Sequence, residues 1–177
     1  VQDMKLNQLR KNIGLATQDV LLYSDTIDGN IAYGDINLKQ EEVEKFARYS
    51  AAAEFISKMP EGYDTIVGER GVGLSGGQKQ RISLARALAV KPAILILDDT
   101  TSAVDMETEK QIQHSLNELD FPCTKIIIAQ RISTTKCADK ILVIQDGEIT
   151  ESGTHDELVA KKGYYYSLVQ LQTGEEV

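Results

Sequence analysis

Ala93–Leu97 is an unbroken apolar run, Ala-Ile-Leu-Ile-Leu, and it stops on an acid, Asp98. A run without alternation predicts a strand buried on both faces, which is the signature of a parallel sheet covered by helices. An acid at the carboxyl end of such a strand projects into the crevice where open α/β sheets bind ligands. It can equally cap the turn that follows.

The rest of the chain keeps the same alternation of strand and helix. Lys11–Thr17 reads as a short strand running out at Gln18. Leu38–Met59 has a helical pattern, with Val43, Phe46, Ala47, Ala51–Ala53, Phe55 and Ile56 between charged residues, and Pro60-Glu61-Gly62 stops it. Ile82–Val90 is a second helical stretch, followed by Pro92. Asp105–Leu119 is a polar amphipathic helix, and Lys125–Ala129 a second buried strand. Asp146-Gly147 between Lys140–Ile144 and Glu148–Glu151 predicts a hairpin. Thr154 caps a helix from His155, with Glu157 completing a capping box.

Composition excludes more than it indicates. A net charge of −8 argues against a nucleic-acid face. No stretch has the roughly 18 apolar residues of a spanning helix, and no signal-peptide pattern is read at the start. Cys123 and Cys137 lack a CxxC spacing and His114 and His155 stand apart, so neither a disulfide framework nor a zinc site is expected. These features describe an acidic, globular, cytosolic chain.

Leu74–Arg81 reads Leu-Ser-Gly-Gly-Gln-Lys-Gln-Arg and runs straight into the helix at Ile82. Ser75 is a natural N-cap, adjacent glycines admit a ligand close to the backbone, and a helix start favours phosphate. Ser-Gly-Gly alone would equally make a turn. The whole string resembles the signature motif of the ABC ATPases, and the resemblance extends over the chain. Asp98 resembles the Walker B aspartate, Gln18 the Q-loop glutamine, and Ser102–Asp105 the D-loop that crosses to a partner subunit. Thr65–Gly71 is similar to the X-loop of exporters, as Gln18–Val20 through Ile31–Gly34 is to their Q-loop region.

The resemblance implies an α/β fold: a partial P-loop NTPase (RecA-like) core with a parallel sheet, plus a helical subdomain carrying the signature. Within a single ATPase domain, it divides the chain into 1–18 (core strand and Q-loop), 19–90 (helical subdomain) and 91–177 (core and C-terminal hairpin and helix). It implies ATP and Mg²⁺ as ligands. Gln18 and Asp98 serve the metal, and Ser75, Gly76, Gly77, Gln78 and Asp105 join them in binding nucleotide. Its partners are a second ABC ATPase subunit and transmembrane domains reached through the Q-loop and X-loop, at the cytoplasmic face of a membrane. A nucleotide-sensing module of the same superfamily is the alternative. A nucleic-acid ATPase would need coiled-coil heptads or a basic face, which the sequence lacks.

Two positions depart from the family pattern. Asp99 stands where its ATPases usually carry the glutamate that polarises the attacking water, one methylene shorter. Gln130 stands at the switch histidine, and an amide carries no proton or positive charge. Altered together beside an intact signature, they resemble the degenerate half of a heterodimeric exporter, with Asp99 and Gln130 at the slow site. There is also no Gly-x-x-x-x-Gly-Lys-[Ser/Thr] phosphate loop. The chain therefore reads as a C-terminal fragment of a nucleotide-binding domain, inactive alone. Its open strand edges are expected to recruit another chain or a repositioned C-terminal hairpin.

Overall fold

Ala93–Leu97 forms a strand displaced by one residue, β4 (Ile94–Asp98), at the centre of a three-stranded parallel sheet. Its neighbours are β1 (Ile13–Ala16) and β5 (Thr124–Ile128), in the order β1-β4-β5. The register sets Ala16 beside Leu97 and Asp98 beside Ile128. The computed structural model describes residues 3–68 and 71–174. It divides into two units, Val1–Ile128 and Ala129–Val177.

In the first unit, α1 (Leu6–Lys11) precedes β1. After β1 come β2 (Asp25–Thr26), α2 (Ile27–Ile31), α3 (Gln40–Tyr49), α4 (Ala53–Ile56) and β3 (Ile66–Val67). The long helix α5 (Gly76–Ala89) leads into β4, and α6 (Met106–Asn117) joins β4 to β5. Helix α5 lies on β1 and β4. Gly14 makes that approach possible, because a Cβ there would stand 2.4 Å from the Ala87 carbonyl oxygen.

Burial on both faces of the strands is not what forms. Gly14, Ala16, Leu95 and Leu97 are buried on the α5 side. On the other side Leu15, Ile126 and Ile128 are exposed, and Ile94 and Ile96 are half-buried. Only one face of this sheet is fully covered among the described residues, although the apolar pattern of its strands suits two.

The helical pattern over Leu38–Met59 also resolves differently, into α3 and α4. Ala51 takes a left-handed φ of 55°, which ends the first helix. The Arg81 guanidinium fixes the break by donating to the Ala51 carbonyl at 2.8 Å, and it lies 4.6 Å over the Phe55 ring. The core gathers Phe46, Val43, Ile27, Ile31, Ile56, Ile82, Leu84 and Leu88 from these helices with Leu95 and Leu97 of the sheet.

The second unit contains α7 (Ile132–Thr135), β6 (Ile141–Gln145), β7 (Glu148–Gly153), α8 (His155–Lys161) and α9 (Tyr164–Thr173). Asp146 and Gly147 both take positive φ, 51° and 81°, giving the two-residue hairpin the sequence predicts. Among the described residues β6 and β7 pair only with each other and neither joins the β1-β4-β5 sheet, so the repositioned hairpin, one of the two expected repairs of the open edge, does not form. Thr154 and Glu157 form the capping box of α8. Ile132, Ile141, Val143, Leu158, Tyr165 and Val169 make a separate small core.

Candidate functional site

Ser75 caps α5 as its sequence predicts. Its hydroxyl accepts the Gln78 N–H at 3.3 Å, and the Gln78 side-chain oxygen accepts the Ser75 N–H at 2.9 Å. The amides of Gly76 and Gly77, first and second in the helix, have no helical acceptor by position. The two glycines differ in surroundings. Gly76 is exposed, and an added Cβ would meet only the Ala103 methyl at 3.4 Å. Gly77 is buried, and a Cβ there would stand 2.7 Å from the Ala103 carbonyl oxygen.

That close approach is locked by Gln80, which sequence reasoning passed over. Its amide donates to Ser102 Oγ at 3.1 Å and to the Asp99 carbonyl at 3.4 Å, while its oxygen accepts the Ala103 N–H at 3.1 Å. The side chain is buried and spans Asp99 to Ala103, so the start of α5 and the loop after β4 form one piece. Gln80 lies within the string Leu74–Arg81, but the string alone does not say that its side chain is buried against the loop after β4.

Asp98 ends β4, and Gln18 lies exposed just past the end of β1, the strand alongside. The register therefore brings these two oxygen donors to the same end of the sheet. Among the described residues no group of three or more His, Cys, Asp or Glu is poised to hold a metal. One carboxylate and one amide suit Mg²⁺, which keeps its waters and takes further oxygens from phosphates. Asp99 takes φ 49°, its N–H donates to the Ile128 carbonyl at 2.9 Å, and its carbonyl accepts from Ser102 Oγ at 3.0 Å.

Asp105 caps α6. One carboxylate oxygen accepts the Glu107 and Thr108 amides at 3.1 and 3.0 Å, and the other accepts the Thr108 hydroxyl at 2.8 Å. The Thr108 amide, then its hydroxyl, hold the carboxyl below the ordinary 3.8. A depressed pKa stabilises the fold above the unfolded value, and that contribution disappears as pH falls through the folded one. Titration of Asp105 by carbonyl NMR should give a midpoint below an ordinary aspartate. Thr108→Val should bring it back toward the ordinary value, and an unmoved midpoint would remove the hydroxyl from the cap.

The segment after Gln18 is tied to α5 by a second unforeseen network. Asn30, fully buried, accepts the Tyr23 N–H at 2.9 Å and donates to the carbonyls of Tyr23 and Thr26, each at 3.0 Å. Arg86 of α5 donates to Asn30 Oδ1 at 2.7 Å and to the Asn30 and Leu21 carbonyls at 2.8 Å. Its guanidinium stands 5.1 Å from the Tyr23 ring, which stacks on Tyr33 at 4.2 Å. Burial pushes the Arg86 pKa down from its ordinary value.

β2 and β3 then join this segment to the start of Thr65–Gly71, pairing Asp25 with Val67 and Thr26 with Ile66. Glu69 and Arg70 of that stretch lie outside the described residues. Gln130 belongs to the second unit, where its side chain is on an exposed residue and its carbonyl accepts from Gln172.

The profile of the ABC transporter family matches residues 1–102. YknU of Bacillus subtilis, an uncharacterized ABC transporter ATP-binding protein, is 52% identical over 172 residues, covering 97% of this chain and 29% of its own length. The ATP-dependent lipid A-core flippase of Syntrophus aciditrophicus is 47% identical over 182 residues, covering 100% of this chain and 30% of its own length. A solved bacterial Atm1-family ABC exporter with ATP bound superposes with a TM-score of 0.94 at 40% identity, over 99% of this chain and 31% of that one. The chain thus spans under a third of the length of these relatives. Its α/β fold is that of the P-loop NTPases, and with this profile, these relatives and this superposition the chain belongs to the ABC transporter family.

Proposed function

We propose that this chain is the nucleotide-handling part of an ABC exporter, coupling ATP binding and hydrolysis between two ATPase subunits to transport through a membrane. One observation carries the reading. The exposed start of α5, with Ser75 and Gly76, is locked through Gly77 and Gln80 to the loop leaving β4 at Asp98 and Asp99. Such a helix start presents unpaired N–H groups and a positive dipole end to a phosphate. Here it would serve the nucleotide held by a second ATPase subunit. Asp98 and Gln18 would hold Mg²⁺ on this chain's own nucleotide, where the ion neutralises phosphate charge.

Asp99 and Gln130 make that own site the slow one of a heterodimer. Asp99 has a shorter reach than the usual glutamate, and Gln130 lacks a titratable ring. Ser102–Asp105, which ends at the cap of α6, would be the D-loop turned to the second subunit. The membrane partner docks where Ile36, Ile66 and Val72 stand 89%, 76% and 74% exposed, beside the Q-loop and X-loop segments. The same reading puts the site at the cytoplasmic face of the membrane. The net charge of −8 argues against a nucleic-acid partner.

Asp99→Asn in the full-length protein, paired with its partner subunit, is the test. It removes a charge without shortening the side chain, and steady-state ATP turnover should stay within about twofold of the parent. A fall of about 10²-fold, the size seen when a catalytic electrostatic group is lost, would make this site a working one and end the degenerate-half assignment.

A further inference from the structure

Both ends of α9 are held by bonds from outside the helix. Gly163, at its N-cap, has no side chain to offer. Glu151 of β7 takes over, accepting the Tyr164 and Tyr165 amides at 2.5 and 3.3 Å. At the other end, Gln172 turns its carboxamide onto the chain entering α7. Its Oε1 accepts the Ile132 N–H at 2.8 Å, and its Nε2 donates to the Gln130 carbonyl at 2.8 Å.

Ile132 opens α7, so its amide has no acceptor within the helix. Arg131, the residue in the N-cap position, makes no side-chain cap bond. Gln172 therefore supplies a missing cap from another helix. The same amide also fixes the carbonyl two residues earlier, so the backbone on both sides of Arg131 is pinned as if to a neighbouring strand. An exposed glutamine loses appreciable rotamer freedom when both ends of its amide are engaged. Spending both on this one turn favours a role at the turn over a role in the fold at large.

We propose that Gln172 is a positioning residue for Gln130. It sets the height and direction from which the Gln130 side chain leaves the backbone, and through α9 it ties that position to Glu151 on β7. The proposal rests on the reading of Gln130 as the switch position that meets a nucleotide phosphate.

Two substitutions in the full-length protein separate the bonds. Gln172→Leu removes both at similar volume. Gln172→Glu keeps an acceptor for Ile132 and sets a carboxylate against the Gln130 carbonyl. Hydrogen–deuterium exchange at the Ile132 amide should quicken at least about fivefold in the leucine variant, the scale of one lost hydrogen bond. In the glutamate variant it should stay near the parent rate, while Leu158 in α8 exchanges alike in all three. Release of labelled ATP should then quicken in Gln172→Leu and in Gln130→Ala, with the double variant no faster than Gln130→Ala alone. Unchanged exchange at Ile132 in Gln172→Leu would overturn the positioning role. Additive effects on ATP release would overturn its action through Gln130. If Gln130→Ala alone leaves ATP release untouched, the switch reading fails instead, and exchange at Ile132 still decides whether Gln172 fixes this turn.

Discussion

Asp in place of Gly77 in the full-length protein will lower steady-state ATP turnover about 10²-fold or more, the scale of a lost oxyanion-type contact. Two causes act together there. A Cβ at Gly77 would stand 2.7 Å from the Ala103 carbonyl oxygen, so α5 must move off the loop after β4. In the proposed site, the added carboxylate would also oppose the phosphate facing the helix start. Gly76→Asp separates the two. Its Cβ meets only the Ala103 methyl at 3.4 Å, and an acid in a first helical turn is favourable for the helix itself. That variant should keep its thermal midpoint yet lose turnover to a similar degree. Full activity in Gly76→Asp would mean that no phosphate comes to this helix start.

Arg86→Met will destabilise the first unit by about 3 kcal/mol, because three charge-assisted hydrogen bonds disappear, two of them to the buried Asn30. Asn30 is fully buried, and its Oδ1 and carbonyl both accept from this guanidinium, as the exposed Leu21 carbonyl does, while the Tyr23 amide remains on Oδ1. For a chain of this length, the thermal midpoint should fall by roughly 6–12 °C. Arg86→Lys should recover only part of the loss. An ammonium keeps the charge but not the planar fork that serves three acceptors while facing the Tyr23 ring. A midpoint within about 2 °C of the parent for Arg86→Met would show that water replaces these bonds without penalty.

The sheet, the signature helix, the caps at Ser75 and Thr154 and the hairpin could all be read from sequence, because each rests on a local rule. Apolar runs make strands, Ser75 and Thr154 offer a hydroxyl to the third amide on, and Asp146-Gly147 accepts positive φ. What escaped was non-local. Gln80, Arg86, Asn30 and Gln172 bond across the fold to backbone groups distant in sequence, and nothing beside them marks the partner. The break at Ala51 escaped for the same reason, since the residue that donates to its carbonyl is Arg81, thirty positions later. Burial was misjudged on β5, where the apolar character of Ile126 and Ile128 states what the strand suits rather than what covers it. The candidate site residues were named through the resemblance of the signature string and its flanking motifs. Which of two adjacent glycines had to be one was visible only once Ala103 was in place.

Asp99 sits in the left-handed region at φ 49°, with its peptide groups bonded to Ile128, Ser102 and Gln80. Aspartate and asparagine are the side chains most at ease in that conformation after glycine, whereas branched ones are penalised there. The backbone thus screens substitutions before chemistry does. A lineage can exchange Asp for Asn or Gly at this position and keep the turn intact, whereas Val or Ile would be rejected by sterics alone. Sterics at position 99 thus set β-branched side chains apart, while the unbranched acids, Asp and Glu, and their amides differ there in reach and charge instead.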